Sequence, residues 1–254
     1  MNIFNKKANL YIWVLILFNA FFIGCYFSGV TFLQQLIAPT IDKANFSFKQ
    51  MREFGILEMT QNVLLLCICY VLLREMVKRR ELLEKIFFGI GSAVFIFLFL
   101  EELDYGLHIY KYFSGELGDV QYFSWHNQWE DGVEKATTMK KIADLVIGVW
   151  FVIIPLLLSI PILSSLKERI AITPSRWFII SLILAVVCSK IAHSLDDNGF
   201  GIINGEQGNL YKTIAEFRET SLYYLFFLYA MQLKQTLNPL RLLGLSHSKR
   251  SESA

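Results

Sequence analysis

The stretch IFFGIGSAVFIFLFLEELDYGLH, Ile86 to His108, decides the fold. From Ile86 to Leu100 it carries no charge, and it then ends in three carboxylates and an imidazole. An uncharged run of this length suits an α-helix that crosses roughly 30 Å of hydrocarbon with about 20 residues. In lipid the backbone must satisfy its own N–H and C=O groups, which a helix does within one segment. A strand of a closed barrel would instead alternate apolar and polar residues, and this run does not.

Working outward, five more stretches read the same way: Leu10 to Leu36, Phe54 to Leu73, Ala143 to Leu163, Trp177 to Leu195 and Thr213 to Leu233. Hydrophobic residues make up 54% of the 254-residue chain, charged residues only 18%, and the mean hydropathy is +0.44. Those values exclude an ordinary soluble domain, and the net charge of +2 gives no footprint for nucleic acid. The expected class is therefore an all-α, polytopic integral membrane bundle of six transmembrane helices. Residues 1–238 form the membrane domain and 239–254 a polar tail.

Basic residues orient the bundle, because Lys and Arg are retained on the cytoplasmic side. One set of alternate loops holds Lys6, Lys7, Arg74, Lys78, Arg79, Arg80, Lys85, Lys167, Arg169, Arg176, Lys234, Arg241, Lys249 and Arg250. The other holds Lys43, Lys49, Arg52, Lys111, Lys135, Lys140, Lys141 and Lys212. Both termini are thus expected inside, in a multi-pass protein of the cell membrane, the inner membrane of a bacterium. The N-terminal apolar run continues past Cys25, which favours a span over a signal peptide. All four cysteines fall in predicted spans and read as small apolar thiols rather than as a disulfide framework.

Taken as one helix, Glu101, Asp104 and His108 lie within about 60° of each other at about 100° per residue, with Glu102 offset. His193 and Asp197 repeat the four-residue spacing at the end of the fifth span. Glu216 and Glu219 open the sixth, and Glu58, Gln61 and Asn62 share a face at the start of the second. The topology gathers all of these at the outer end. The longest connection, 109–142, follows on that side with His126 among Tyr110, Tyr112, Phe113, Tyr122, Phe123, Trp125 and Trp129. Such rings favour the headgroup region, so the loop reads as an interfacial anchor or as a lid over a site.

A charge near the centre of a bilayer costs about 2.5–3.5 kcal/mol, so carboxylates sharing one depth either solvate each other or bind something. Imidazole suits Zn and other transition metals, while carboxylates suit harder cations. The expected ligands of a divalent metal, Zn among them, are His108, His193, His126, Asp104, Asp197 and Glu219. Glu101 or Glu58 would then be the general base. No HxxxH or HExxH pattern occurs. This points to a metal-dependent hydrolase of a lipid or other amphiphile, with membrane lipids as the surrounding partners. Two alternatives stand beside it: a proton- or cation-coupled transporter or channel, and a structural or sensor subunit whose polar groups only order the bundle. Internal pairing of Glu58 or Glu101 with Lys190 or Arg218 would fit the last.

Glu101-Glu102, Gly106 and His126-Asn127, followed by Glu216-Phe217-Arg218-Glu219 at the head of an apolar helix, resemble a set of uncharacterised bacterial polytopic membrane proteins. Those carry a Glu-Glu pair, a Gly four residues on, a Gln after it, and a later His-Asn; here Leu107 stands at the Gln position. That resemblance implies a shared site at these residues and supplies no activity. Glu101-Glu102 is also similar to the start of the Glu-Glu-x-x-x-Arg pattern of membrane-embedded CAAX-type proteases, with Gly106 at the Arg position.

Overall fold

The computed structural model describes residues 9–37, 55–114, 129–130, 133–160, 173–200 and 210–235. Among these residues the regular structure is helical apart from a two-residue antiparallel ladder, Trp129–Glu130 with Val133–Glu134. A π-helical turn, Asn9–Val14, leads into α1, Leu15–Tyr26; α2 is Thr31–Ile37. Next come α3, Ile56–Lys78, α4, Leu82–Glu102, and α5, Leu107–Ser114. After α6, Lys135–Ile147, the π turn Gly148–Ile153 leads to α7, Ile154–Leu157. α8 is Arg176–Leu195 and α9 is Leu210–Gln235.

Four segments are long and apolar enough to cross a membrane: Asn9–Tyr26, Ile56–Lys78, Leu82–Glu102 and Trp177–Asn198. They suggest a membrane protein. Their outward faces agree with this, since Leu17, Val77, Leu82 and Ile183 are 58–76% exposed. Soluble monomers rarely leave so many large apolar side chains exposed along their long helices. The expected fourth and sixth spans correspond to α6–α7 and to α9, which are outside that set of four. The expected first span, Leu10 to Leu36, is not continuous: the chain turns at Ser28–Val30, where Gly29 takes φ +70°, and α2 starts anew at Thr31. Only a residue without Cβ adopts that angle cheaply.

α3 and α4 form an antiparallel hairpin across the short connection at Arg79–Glu81. Small residues on α4 let the helices close up: a Cβ on Gly89 would lie 3.2 Å from Met76 Sδ, and one on Gly91 3.5 Å from Leu72 Cδ1. At the connection, Arg79 reaches Glu75 at 3.2 Å and Glu84 at 3.7 Å, with its guanidinium 5.1 Å from the Phe88 ring centroid. Both carboxylates are buried. The cation therefore neutralises two buried charges and ties the helix ends together.

α9 sits against α1, α3 and α8. Although it carries Lys212, Glu216, Arg218, Glu219 and Lys234, each of its described side chains from Glu216 to Lys234 is buried or half-buried. The least apolar long helix is thus enclosed by the most apolar ones. Gln232 fixes its far end to the start of α8, accepting from Ser175 N at 3.0 Å and donating to Thr173 O at 2.8 Å. Nearby, Phe151 and Phe178 stack at 4.3 Å with Tyr229 edge-on to Phe151 at 5.0 Å.

Candidate functional site

At the other end of α3 and α4, buried polar groups gather around α9. Gln61 of α3 is fully buried, and its Nε2 donates to Glu216 Oε2 at 2.9 Å and Thr220 Oγ1 at 2.9 Å. Tyr223 of α9 donates its hydroxyl to Glu102 Oε1 of α4 at 2.6 Å. Asn19 of α1 donates Nδ2 to Ser221 Oγ of α9 at 2.9 Å. Three neighbouring helices thus reach α9 between Glu216 and Tyr223, and that fixes the depth of the cluster.

Other groups fall at the same level. Gly91 lies opposite Leu72, and continued along both helices that register brings Asn62 level with Glu101. Glu58, Asn62, Glu101, Asp104 and Glu216 are all at most 8% exposed. An apolar cluster of Phe22, Cys25, Tyr26, Ile37, Leu57, Ala192 and Phe217 packs alongside. Three of its members immediately adjoin candidate residues: Leu57 precedes Glu58, Ala192 precedes His193, and Phe217 follows Glu216. His193, half-buried in the last turn of α8, is therefore carried to the level of the carboxylates.

Beyond Glu102 the helix does not continue to His108 as expected. Asp104, Tyr105 and Gly106 take φ values of +48°, +55° and +84°, three left-handed residues in succession. For L-residues that conformation costs roughly 1–2 kcal/mol each, so the turn stores strain directly beside the carboxylates. The turn overturns the single helical face for Glu101, Asp104 and His108, since α5 begins only at Leu107 on a new course. It buries Asp104 completely while Tyr105 stays 47% exposed. Tyr105 folds back so that its hydroxyl donates to Glu101 Oε1 at 2.5 Å. That hydrogen bond, followed by desolvation and by the charges of Glu101 and Asp104, pushes the Tyr105 phenol above its ordinary value. It stays a protonated donor at neutral pH.

Two further expectations change. Glu216 and Glu219 do not open the sixth helix: α9 starts at Leu210, so both are interior to it. The segment 109–142 is not one loop, because it includes most of α5, the short ladder and the start of α6. Asp197 stands exposed in the π turn Asp196–Phe200, where Asn198 Nδ2 donates to Ser194 O at 2.6 Å. His126 with its Asn127 and the tail 239–254 lie outside the described residues, and of His108 only the backbone position in α5 is described. Among the described residues no group of three or more His, Cys, Asp or Glu side chains is arranged to hold a metal ion. The four cysteines are free thiols.

Sequence reasoning set Glu102 aside and passed over Tyr105, Thr220, Ser221 and Tyr223. The hydroxyls of α9 have one legible signal: Thr220, Tyr223 and Tyr224 are polar groups within a few residues of Glu216 and Glu219, which no solvated helix end requires. No family model, no curated protein and no solved structure matches this chain.

Proposed function

We propose that the chain is a six-span membrane protein with both termini cytoplasmic, and that its outer end carries an acid–base site that takes up and passes a proton or other small cation. One observation carries this reading. Carboxylates on two helices accept hydrogen bonds from neutral donors at one depth: Glu101 from Tyr105, Glu102 from Tyr223 and Glu216 from Gln61. A phenol or amide that donates to a carboxylate favours its charged form, so in this reading the donors hold these carboxylates ready to receive a proton or cation. Tyr105 is exposed on one side and bonded to buried Glu101 on the other, so it stands at the mouth.

The test is proton uptake by protein reconstituted in liposomes with a trapped pH-sensitive dye after a pH step. Glu101→Gln is expected to reduce flux at least tenfold. If the wild-type vesicles relax no faster than protein-free ones, the reading is wrong.

Metal-dependent hydrolysis of an amphiphile is the second reading, favoured by the level that His193 shares with Glu58 and Glu216. A bound divalent ion would supply an activated water there, with Glu101 or Glu58 as base. Elemental analysis of purified protein and of a His108→Ala/His193→Ala variant bears on the second reading: stoichiometric transition metal lost on substitution favours the hydrolase, and its absence from both proteins favours the proton site.

A further inference from the structure

A concave groove of about 610 Å³ opens between α3 and α9, away from the carboxylates and towards the Arg79 end of the hairpin. Val63, Leu66, Cys67, Tyr70 and Val71 of α3 and Phe227 and Met231 of α9 line it, and Arg74 and Lys234 close one end. Its wall is apolar for most of its length and cationic only there. From Val63 to Arg74 the helix rises about 16 Å at about 1.5 Å per residue. That matches half of a hydrocarbon core of about 30 Å, the depth of one leaflet. Arg79 is engaged by Glu75 and Glu84, whereas Arg74 and Lys234 turn to the groove.

We propose that this groove is a binding site for an anionic phospholipid of the leaflet on the hairpin side, with one acyl chain along Val63 to Val71 and the headgroup phosphate between Arg74 and Lys234. Charge complementarity selects the occupant: basic residues at the membrane surface between helices attract anionic headgroups, and an apolar slot one leaflet deep accepts a chain that a free phosphate lacks. The site is independent of the proton reading, since none of its lining residues belongs to the carboxylate cluster.

Delipidated full-length protein in detergent, titrated with phosphatidylglycerol, phosphatidylcholine or inorganic phosphate and followed by native mass spectrometry, tests it. Phosphatidylglycerol is expected to bind with one tight site, and Arg74→Gln/Lys234→Gln to weaken that site roughly thirtyfold, to the level of phosphatidylcholine. Arg74→Lys/Lys234→Arg, which keeps both positive charges, should retain binding, and Cys67→Trp, which fills the slot, should exclude both lipids. Equal binding of the two lipids by wild type, an unaffected Gln variant, or competition by inorganic phosphate at lipid-like concentrations would each overturn the proposal. A Gln variant that does not fold moves the decision to the charge-swapped and Trp variants, whose retained and lost binding must still differ.

Discussion

At the scale of single residues, the turn Asp104–Gly106 sets the geometry of the candidate site. Nothing lies within 4 Å of a Cβ built on Gly106, so Gly106→Ala meets no neighbour and registers only its left-handed backbone. Its expected cost is about 1 kcal/mol, read as a lower thermal unfolding midpoint in detergent. Gln61→Leu is expected to cost more, about 1–3 kcal/mol, because Glu216 and Thr220 lose a buried donor together. Tyr105 yields a prediction in pH. Its phenol is raised, so the protonated form is favoured, and the bond to Glu101 persists through neutrality and loosens only above the ordinary phenol value of about 10. The difference between ultraviolet titrations of wild type and Tyr105→Phe isolates that one phenol; titration at or below the ordinary value would contradict the assigned bond. Glu101, Glu58 and Asp104 were legible in the sequence as costly charges in apolar runs. The turn was not, because Asp-Tyr-Gly reads equally well as a helix end, and only backbone angles reveal a left-handed course.

The α3–α4 hairpin depends on small residues at its contact, so Gly89→Val should drive a branched side chain against Met76 and cost about 1–3 kcal/mol by overpacking. The cation at its connection is a stronger dependence. Arg79→Met removes the shared partner of two buried carboxylates and is expected to destabilise by about 3 kcal/mol, while Arg79→Met/Glu75→Gln/Glu84→Gln recovers much of that loss. Failure of the triple variant to recover would show that the carboxylates do not depend on Arg79. In the sequence Arg79 reads as one more basic residue of a cytoplasmic loop. Glu75 four positions earlier was the available hint of an ion pair, but Glu84 approaches from another helix and is visible only after folding. Apolar spans such as Leu82–Glu102 were legible because lipid imposes length and composition on the segments it touches. α9 obeys no such rule: its neighbours, rather than lipid, form most of its surroundings, so hydropathy carries less information about it.

For the molecule as a whole, the polar cluster at one end and the Arg79 pair at the other leave an apolar middle, as a bundle held in a bilayer requires. The proposed topology places those ends on opposite sides. In a cysteine-free background, Asp197→Cys is expected to react with a membrane-impermeant maleimide in intact cells, whereas Arg80→Cys should react only after lysis; the reverse pattern would invert the bundle. The enclosure of α9 also bears on how the protein is made. A ribosome releases α1, α3, α4 and α8 before α9, and each of those can partition into lipid on its own merits. Their successor carries Glu216, Arg218 and Glu219, which lipid alone would reject, yet Gln61, Glu102 and Asn19 already wait at the matching height. In the proposed topology, order of synthesis thereby becomes part of the architecture: the early helices form a socket, and α9 enters it as a key cut in polar teeth.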